Sequence, residues 1–410
     1  MPQFDLADPL RGKAYGEFSA AVRSRSFHEE KFIKAQIELT YACNLHCVHC
    51  YTDPYNKPEF LSREWKKDDV LAALDALYRA QILWLCFTGG EIFARKNFLE
   101  IYDYAHRRGF LLTLFTNGTL VTDAVADHLA CKPPFSLEIT LYGATAETYE
   151  KVTQVKGSYK RCLEGIERLI ERKLPLKLKT SALTVNQHEI GAMKKMAESW
   201  GVSFKVSSLI YPRLDGDTSV CNLRLPAGDI VRMECGETDL AAARCALSEE
   251  EIFLSSPNDS IGDPETRFPL KTSGNDKPFT NSPNRAQAPP NLYRCGCGHL
   301  DVHLDPYGGA GACTWQRKYR RHFQSAPIQE IMSELAKTLR AQVYSSESPC
   351  RHCEAFSYCD KNPEMAVYET GSADKAVAHF CDVAFTRRDK KGHSISDPRP
   401  ADQGDDTLKV

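Results

Sequence analysis

The sequence predicts an α/β fold in which a parallel sheet carries its helices outside. Two observations predict it: short apolar runs alternate with helical stretches from residue 35 to about 210, and six such pairs follow one another. Successive strand–helix units of this kind form parallel sheets. A complete eight-unit barrel would need more chain. The candidate strands are 35–40, 82–88, 110–116, 135–142, 176–184 and 202–209.

The stretches between these strands carry apolar residues at helical spacing. The clearest is 67–80, where Val70, Leu74 and Leu77 recur three or four residues apart and so share one face of a helix. Such a face can pack against a sheet. The other candidate helices lie near 97–108, 121–130, 158–173 and 187–200.

The texture of the sequence divides the chain into five regions. Residues 1–34 form an N-terminal extension that is helical in part, and 35–216 contain the strand–helix units. Residues 217–290 connect these units to the C-terminal part and include a Ser/Pro/Asn-rich stretch, which predicts a flexible loop. Residues 291–386 are rich in cysteine, and 387–410 form a polar tail without apolar periodicity, which predicts disorder.

Composition predicts a cytoplasmic enzyme that works without nucleic acid or membrane partners. The 52 basic and 54 acidic residues nearly balance, and no basic block stands out. The start of the chain lacks the layout of a signal peptide, and no apolar run approaches the ~18 residues of a membrane helix. In such a chain, sixteen cysteines indicate metal or redox chemistry and not secreted disulfides.

The most informative motif is Cys43, Cys47 and Cys50, spaced C-x3-C-x2-C directly after the first strand. Three closely spaced thiolates can hold a [4Fe–4S] cluster by three of its irons. The fourth iron is then open to bind a small molecule. The alternative is a zinc knuckle, although zinc sites usually show paired C-x2-C units and four ligands.

A second motif, Gly89-Gly90-Glu91, ends the strand at 82–88. Active-site groups of β/α barrels gather at the C-terminal ends of strands. Two glycines let the backbone approach a ligand without a Cβ in the way, and Glu91 can accept hydrogen bonds from an ammonium group. Alone, this tripeptide is a common turn.

Polar residues also end the later strands. Asn117 follows the third strand, Thr140 ends the fourth, and Ser181 lies at the end of the fifth. Each could face a bound cofactor at the same edge of the sheet. Each could equally be an ordinary strand-end turn or polar cap.

Taken together, the cysteine spacing and the Gly-Gly-Glu about 40 residues later resemble the signature of the radical S-adenosylmethionine (radical SAM) superfamily. The resemblance implies a partial, open (β/α)6 TIM-like barrel over 35–216. It implies a catalytic [4Fe–4S] cluster on the three cysteines, and SAM held by the Gly-Gly-Glu and the three strand-end residues just named. Such enzymes reductively cleave SAM to a 5′-deoxyadenosyl radical, which abstracts a hydrogen atom from the substrate.

A third pattern lies in the cysteine-rich region and resembles the SPASM extension of radical SAM proteins. The resemblance implies a C-terminal SPASM domain over 291–386 with one or two auxiliary iron–sulfur clusters. The residues that match its cysteine pattern, or lie within it, are Cys295, Cys297, Cys313, Cys350, Cys353, Cys359 and Cys381. The last four match the complete ligand set of the distal auxiliary cluster in that family.

The sequence does not determine the ligands of the proximal auxiliary cluster. Cys295 and Cys313 match two of its ligands, but Pro363 stands where the family has a further cysteine. One reading takes Cys297, or a cysteine of the connecting region, as a replacement ligand. A second leaves an open iron that could bind a substrate thiolate. A third makes the cluster [2Fe–2S] or absent.

The resemblance implies a peptide or protein substrate, and specifically the maturation of a ribosomally synthesised peptide. Alternatives are an anaerobic sulfatase maturase, a tetrapyrrole-modifying enzyme and a non-catalytic iron–sulfur electron carrier. Sulfatase maturases typically have Asp at the position of Thr314. Only 34 residues precede the first strand, so recognition of a leader peptide is expected from a separate binding protein or from the 217–290 region. A flavodoxin- or ferredoxin-type protein is the expected electron donor.

The basic run 316–321 begins three residues after Cys313. It could contact an acidic leader peptide, or form an ordinary solvated basic face.

Overall fold

The computed structural model describes residues 15–29, 31–236, 291–293 and 300–392. Its strands are β1 (Lys34–Thr40), β2 (Trp84–Gly89), β3 (Leu111–Thr116), β4 (Ser136–Thr140), β5 (Leu176–Ser181), β6 (Ser203–Ser207), β7 (Asp301–Leu304), β8 (Gly309–Gly311) and β9 (Arg321–His322). Its helices are α1 (Tyr15–His28), α2 (Pro58–Leu61), α3 (Lys67–Arg79), α4 (Phe98–Arg107), α5 (Asp123–Cys131), α6 (Ala146–Thr153), α7 (Ser158–Glu171), α8 (Ile190–Ser199), α9 (Ala227–Gly236), α10 (Ile328–Arg340), α11 (Pro363–Thr370) and α12 (Ala378–Gly392). The six predicted strands and the five predicted helices are confirmed.

The nine strands of the described residues form one sheet, in the order β6-β5-β4-β3-β2-β1-β7-β8-β9. Strands β1 to β6 each pair in parallel with the next strand in sequence, as repeated β/α crossovers require. Strand β7 then pairs in parallel with β1, and β8 and β9 follow in antiparallel pairing. The cysteine-rich region therefore extends the same sheet from the outer side of β1.

The two faces of this sheet differ in polarity. On one face, apolar side chains such as Ile37 and Leu137 pack with the helices in the main core. Side chains alternate between the faces along a strand, so the residues between the apolar ones lie on the opposite face. That face carries the buried side chains of Glu38, Glu138 and His303. Polar groups so deeply buried need partners, and the partners of Glu38 lie next to the candidate site.

One prediction for the C-terminal part is wrong. Residues 387–392 were expected in a disordered tail, but they continue α12. Arg387 pairs there with Glu234 at 2.6 Å and with Asp360 at 2.7 Å. This polar segment without apolar periodicity is helical here, and the guanidinium of its first residue, Arg387, has fixed acidic partners.

Other expectations fall outside the described residues. They concern the predicted flexible loop of the connecting region, within 237–290, and the rest of the tail, 393–410. The described start of the connecting region contains α9. In the part of the chain that the structure describes, no helix is both long and apolar enough to cross a membrane.

Candidate metal centre and cofactor site

The cysteine loop, residues 41–57, leaves β1 and carries the three cysteines of the first motif. His46 N donates to Thr153 O at 3.0 Å, and Val48 N donates to Val152 O at 2.9 Å. These carbonyls belong to the last turn of α6, where carbonyl groups have no partner within the helix. The loop therefore satisfies the end of α6 and is fixed in place by it.

Asparagine side chains fix Cys43 within this loop. Asn56 accepts a hydrogen bond from Cys43 N at 3.3 Å and donates one to Cys43 O at 2.8 Å. Asn117, at the end of β3, lies with its Nδ2 3.8 Å from Cys43 Sγ and 3.0 Å from Asn44 Oδ1. The structure thus brings the predicted cofactor residue Asn117 against a predicted cluster ligand.

The three thiols of the loop share one buried environment. Burial raises the pKa of Cys43 to about 12, and burial is also the largest cause of the raised pKa values of Cys47 and Cys50. For Cys47, the next causes are the neighbouring Cys50 and Cys43. Buried neighbouring thiols need a cationic centre to become thiolates, the form that binds metal. This donor set fits the predicted three-cysteine iron–sulfur cluster.

Gly89 and Gly90 let β2 pass close to the end of β1. Gly89 has a φ of +130°, and a Cβ on Gly90 would lie 2.4 Å from Ala42 O. Gly90 N donates to Thr40 O at 2.7 Å, and Glu91 N donates to Ala42 O at 2.8 Å. The close approach that the glycines allow in the structure is to the backbone that leads into Cys43; the expected approach to a ligand stays a prediction.

Glu91 is fully buried behind this turn. Its carboxylate accepts hydrogen bonds from Thr116 Oγ1 at 2.7 Å, Asn117 N at 2.7 Å and Phe93 N at 3.1 Å. Burial raises its pKa, and these hydrogen bonds act in the opposite direction. A carboxylate has about four acceptor positions, and three are used here; a hydrogen bond to the ammonium group expected from the sequence stays a prediction.

Thr140 and Ser181 lie at the ends of β4 and β5, both half-buried. Thr140 is in register with Lys179, and Ser181 with Ser207. They lie at the C-terminal edge of the sheet as predicted. Their roles toward a cofactor stay predictions.

Tyr142 is a site residue that sequence reasoning did not single out. Its pKa is raised by burial first and then by the nearby thiols of Cys47, Cys50 and Cys43, and its hydroxyl is a hydrogen-bond partner of Cys47. Its ring lies edge-on to His49 with centroids 5.1 Å apart. The signal available in the sequence was only its place two residues after Thr140, at a strand end.

A buried polar cluster centred on Glu38 lies beside the cysteine loop. Glu38 accepts hydrogen bonds from Tyr41 at 2.8 Å and Tyr51 at 3.0 Å, and His303 Nε2 lies 3.3 Å from its carboxylate. Burial raises the pKa of Glu38, but the neighbouring groups, foremost His303, act against it and hold this pKa below the ordinary value. Since Tyr51 directly follows Cys50, this cluster links the loop to β1 and β7.

Aromatic contacts join the cysteine loop to the segment after Cys313. The ring of Trp315 lies between those of Tyr51 and Tyr211, at centroid distances of 4.9 and 5.0 Å. Its Nε1 donates to Pro212 O at 3.0 Å. The segments that follow two predicted cluster ligands, one in each half of the chain, are thus in direct contact.

Arg320 organises the segment after Cys313 from within. Its guanidinium donates to Cys313 O at 2.8 Å and Thr314 O at 3.1 Å, and it pairs with Asp305 at 2.5 Å. Its side chain is 8% exposed, and Gln316 is fully buried. The interpretation of 316–321 as a solvated basic face is therefore wrong for Arg320, whose guanidinium lies inside the protein because it donates to backbone carbonyls and to a buried carboxylate.

The C-terminal cysteine cavity gathers the four residues predicted as distal cluster ligands. It is lined by Cys350, Cys353, Cys359 and Cys381, together with Tyr344, Phe356, Lys361 and Ala384. Burial raises the pKa of Cys381, and Cys350 and Cys353 raise it further. These four thiols would be the donor set of a four-cysteine iron–sulfur cluster, an assignment that stays a prediction.

The proximal cluster region is described only in part. Cys313 packs beside a small apolar cluster that includes Tyr293, whereas Cys295 and Cys297 lie outside the described residues. Pro363, where a cysteine was expected, is the first residue of α11, and the Asn362 side chain caps this helix. Proline suits that position because its missing N–H has no helical partner there.

Comparison with known proteins gives one family and several relatives. The model of the Radical SAM superfamily matches residues 37–197. Mycofactocin maturase MftC of Mycobacterium ulcerans is 32% identical over 282 residues, which cover 68% of this chain and 67% of that protein. AdoMet-dependent heme synthase of Methanosarcina barkeri is 31% identical over 183 residues, covering 44% of this chain and about half (52%) of that protein.

Among solved structures, the chain resembles Streptococcus suis SuiB bound to the precursor peptide SuiA. The TM-score is 0.60 at 13% identity, and the likeness covers 92% of this chain and 82% of SuiB. At this identity it is a likeness of fold. It confirms the partial (β/α)6 barrel followed by a C-terminal domain.

Proposed function

Because this chain belongs to the radical SAM superfamily and to its SPASM-type subfamily, we propose that it modifies a peptide or protein, in the maturation of a ribosomally synthesised peptide. The observation that carries the proposal is the extent of the likeness to mycofactocin maturase MftC. It covers two thirds of both chains and so reaches beyond the barrel motifs. The fold of SuiB, described with its precursor peptide, supports a peptide substrate.

Enzymes of this superfamily use a [4Fe–4S] cluster and SAM. When bound, the cluster supplies the electron that cleaves SAM to a 5′-deoxyadenosyl radical, which takes a hydrogen atom from the substrate. Cys43, Cys47 and Cys50 would hold this cluster. Asn117 would donate a hydrogen bond toward Cys43, a contact that fixes a ligand and adjusts its basicity.

The Gly-Gly-Glu turn would place SAM at the C-terminal edge of the sheet. Gly89 and Gly90 hold the turn against the cysteine loop through the hydrogen bonds already described, so cofactor and cluster sites have a common backbone support. Glu91 would accept a hydrogen bond from the ammonium group of SAM. Thr140 and Ser181 lie on the same edge, where they would contact the rest of the cofactor.

SPASM-type relatives carry auxiliary clusters. We assign the distal one to Cys350, Cys353, Cys359 and Cys381, on the strength of their shared cavity. Cys313 would contribute to a proximal cluster together with Cys295 and Cys297. Trp315 and Tyr51 would then set the spacing between this cluster and the catalytic one, because their rings join the two segments.

Two partners belong to the proposal. A separate leader-peptide-binding protein would present the substrate, and a flavodoxin- or ferredoxin-type protein would supply electrons. If a leader-binding protein presents the substrate, a precursor peptide should bind weakly to this chain alone and tightly once the leader-binding protein is added. Tight binding to the chain by itself would contradict it.

The test is an anaerobic assay of the full chain, reconstituted with iron and sulfide and supplied with SAM and dithionite. We expect 5′-deoxyadenosine from the unchanged protein and none from a Cys43→Ala/Cys47→Ala/Cys50→Ala variant. Cys86→Ala is the matched control, since Cys86 is a buried cysteine within β2 and should leave the product unchanged. Equal product from the triple variant, or none from cluster-loaded unchanged protein, would contradict the proposal.

A second candidate is modification of a tetrapyrrole. The match to AdoMet-dependent heme synthase favours it, although that match covers only 44% of this chain. A porphyrin carboxylate and a precursor peptide, each added to the same assay, distinguish the two candidates. We expect product from the peptide; product from the porphyrin alone would establish the second candidate.

A further inference from the structure

Lys361 lies in the wall of the C-terminal cysteine cavity, two residues after Cys359. It is a basic side chain in a cavity whose other lining residues are four cysteines, two aromatic residues and an alanine. A charged group in so apolar a lining needs specific partners, because burial of an unpaired charge is costly.

The ammonium group of Lys361 has three such partners. Its Nζ donates to Lys375 O at 2.9 Å and to Ala373 O at 3.2 Å, and it lies 3.6 Å from Cys350 Sγ. The ring of Tyr344 lies beneath it, with Nζ 4.8 Å from the ring centroid. An ammonium has three N–H groups, so the two carbonyls fix two of them and leave the third for the sulfur.

This geometry matters for any metal cluster that the four cysteines hold. Hydrogen bonds to ligand sulfurs and the net charge near the site are among the factors that set the reduction potential of an iron–sulfur cluster. Reduction adds one electron and therefore one negative charge. A fixed cation beside a ligand sulfur stabilises the reduced state more than the oxidised one, and it does so strongly where the local dielectric is low.

We propose that Lys361 is a positioning residue that raises the reduction potential of the cluster held by Cys350, Cys353, Cys359 and Cys381. It acts through Cys350, to which it donates a charge-assisted N–H···S hydrogen bond. This inference rests on the proposed function only in taking these four cysteines as cluster ligands. The competing role is purely structural: Lys361 ties the segment around Ala373 and Lys375 to the cavity without affecting the cluster.

The experiment measures the potential directly, in full-length protein reconstituted with iron and sulfide. The Cys43→Ala/Cys47→Ala/Cys50→Ala background removes the catalytic cluster signal. A redox titration followed by electron paramagnetic resonance then reports the remaining clusters. The signal that also disappears in Cys353→Ala belongs to the cavity.

In this background, Lys361→Met removes the charge at similar length, and Lys361→Arg keeps it. We expect Lys361→Met to lower the equilibrium constant for reduction at least tenfold, a shift of about 59 mV for a one-electron couple. Lys361→Arg should shift it less. Lys337→Met, on an exposed position of α10, is the matched control and should leave the potential unchanged.

An unchanged potential in Lys361→Met at full iron content would overturn the inference and leave the cluster assignment standing. If Lys361→Met fails to fold or to hold iron, Lys361→Gln serves as the second neutral variant, with circular dichroism as the folding control. If Cys353→Ala removes no signal, the four-cysteine assignment falls and the inference with it. Neither result bears on 5′-deoxyadenosine formation, which tests the proposed function separately.

Discussion

Replacement of Gly90 by alanine should disturb the backbone that supports the cysteine loop while leaving all three cysteines in place. The added Cβ would lie 2.4 Å from Ala42 O and 2.8 Å from Tyr41 O. Both atoms are backbone, so no flexible side chain can move aside. The strand ends must therefore part until the shortest of these distances reaches at least 3.0 Å, below which real Cβ contacts essentially never occur.

That displacement weakens two hydrogen bonds, from Gly90 N to Thr40 O and from Glu91 N to Ala42 O. At about 1 kcal/mol for each bond, plus the strain that remains, we expect a loss of about 2–4 kcal/mol in the free energy of unfolding. Because Ala42 precedes Cys43, iron retention should fall as well.

Urea denaturation and iron content per chain measure the two effects of Gly90→Ala. The matched control is Gly191→Ala in α8, where an added Cβ meets nothing within 4 Å and should stabilise the helix by up to about 1 kcal/mol. If Gly90→Ala matched this control in both denaturation midpoint and iron content, the close approach of β2 to β1 would not be what the glycine provides.

Three further outcomes follow from the site. Glu189 accepts hydrogen bonds at the start of α6. Burial raises the pKa of its carboxyl group, but these hydrogen bonds outweigh that effect and hold the pKa below its ordinary value of 4.5. The carboxylate therefore stabilises the fold above pH 4.5, and this contribution is lost as the pH falls through the lowered pKa of the folded state. Glu189→Gln should cost about 1–2 kcal/mol of folding stability at neutral pH and little in acid. Thermal melts at several pH values would measure this difference. Arg320→Ala leaves Asp305 with one fewer partner and removes the donor to the carbonyls of Cys313, Thr314 and Gln316, and should cost about 3 kcal/mol or more in urea denaturation. In an Asp305→Ala background the cost should shrink, and an equal cost would contradict the pairing. Asn117→Ala removes the donor to Cys43 Sγ, and iron should pass to a chelator roughly tenfold faster; an unchanged rate would rule out a role for that contact.

The strands and helices of the barrel could be predicted because each has a local signal. In β4, for example, Leu137 and Ile139 face the helices while Glu138 faces away, and the alternation is visible in the sequence. The cysteine spacing and the Gly-Gly-Glu also act locally, since each lies within one loop at a strand end. These loops meet because parallel strands bring their C-terminal ends to one edge.

What could not be predicted depends on distant partners. From the sequence alone, Arg320 is expected at the surface, because its partners Asp305 and the backbone carbonyls of the segment that begins at Cys313 are known only from the structure. Arg387 reads as part of a disordered tail until Glu234 is placed beside it. Neither pairing has a periodic signature, because the partners are 15 and 153 residues apart.

The order of strands limits how this gene can be shortened or recombined during evolution. β1 has β2 on one side and β7 on the other, so the last third of the chain covers an edge that the first two thirds would otherwise expose. A shortened product ending before β7 would present a strand of seven residues with open backbone groups, a template for aggregation. The two cysteine-bearing halves are therefore not modules that recombination can exchange freely; a foreign C-terminal segment must match β1 in register before it can contribute any cluster.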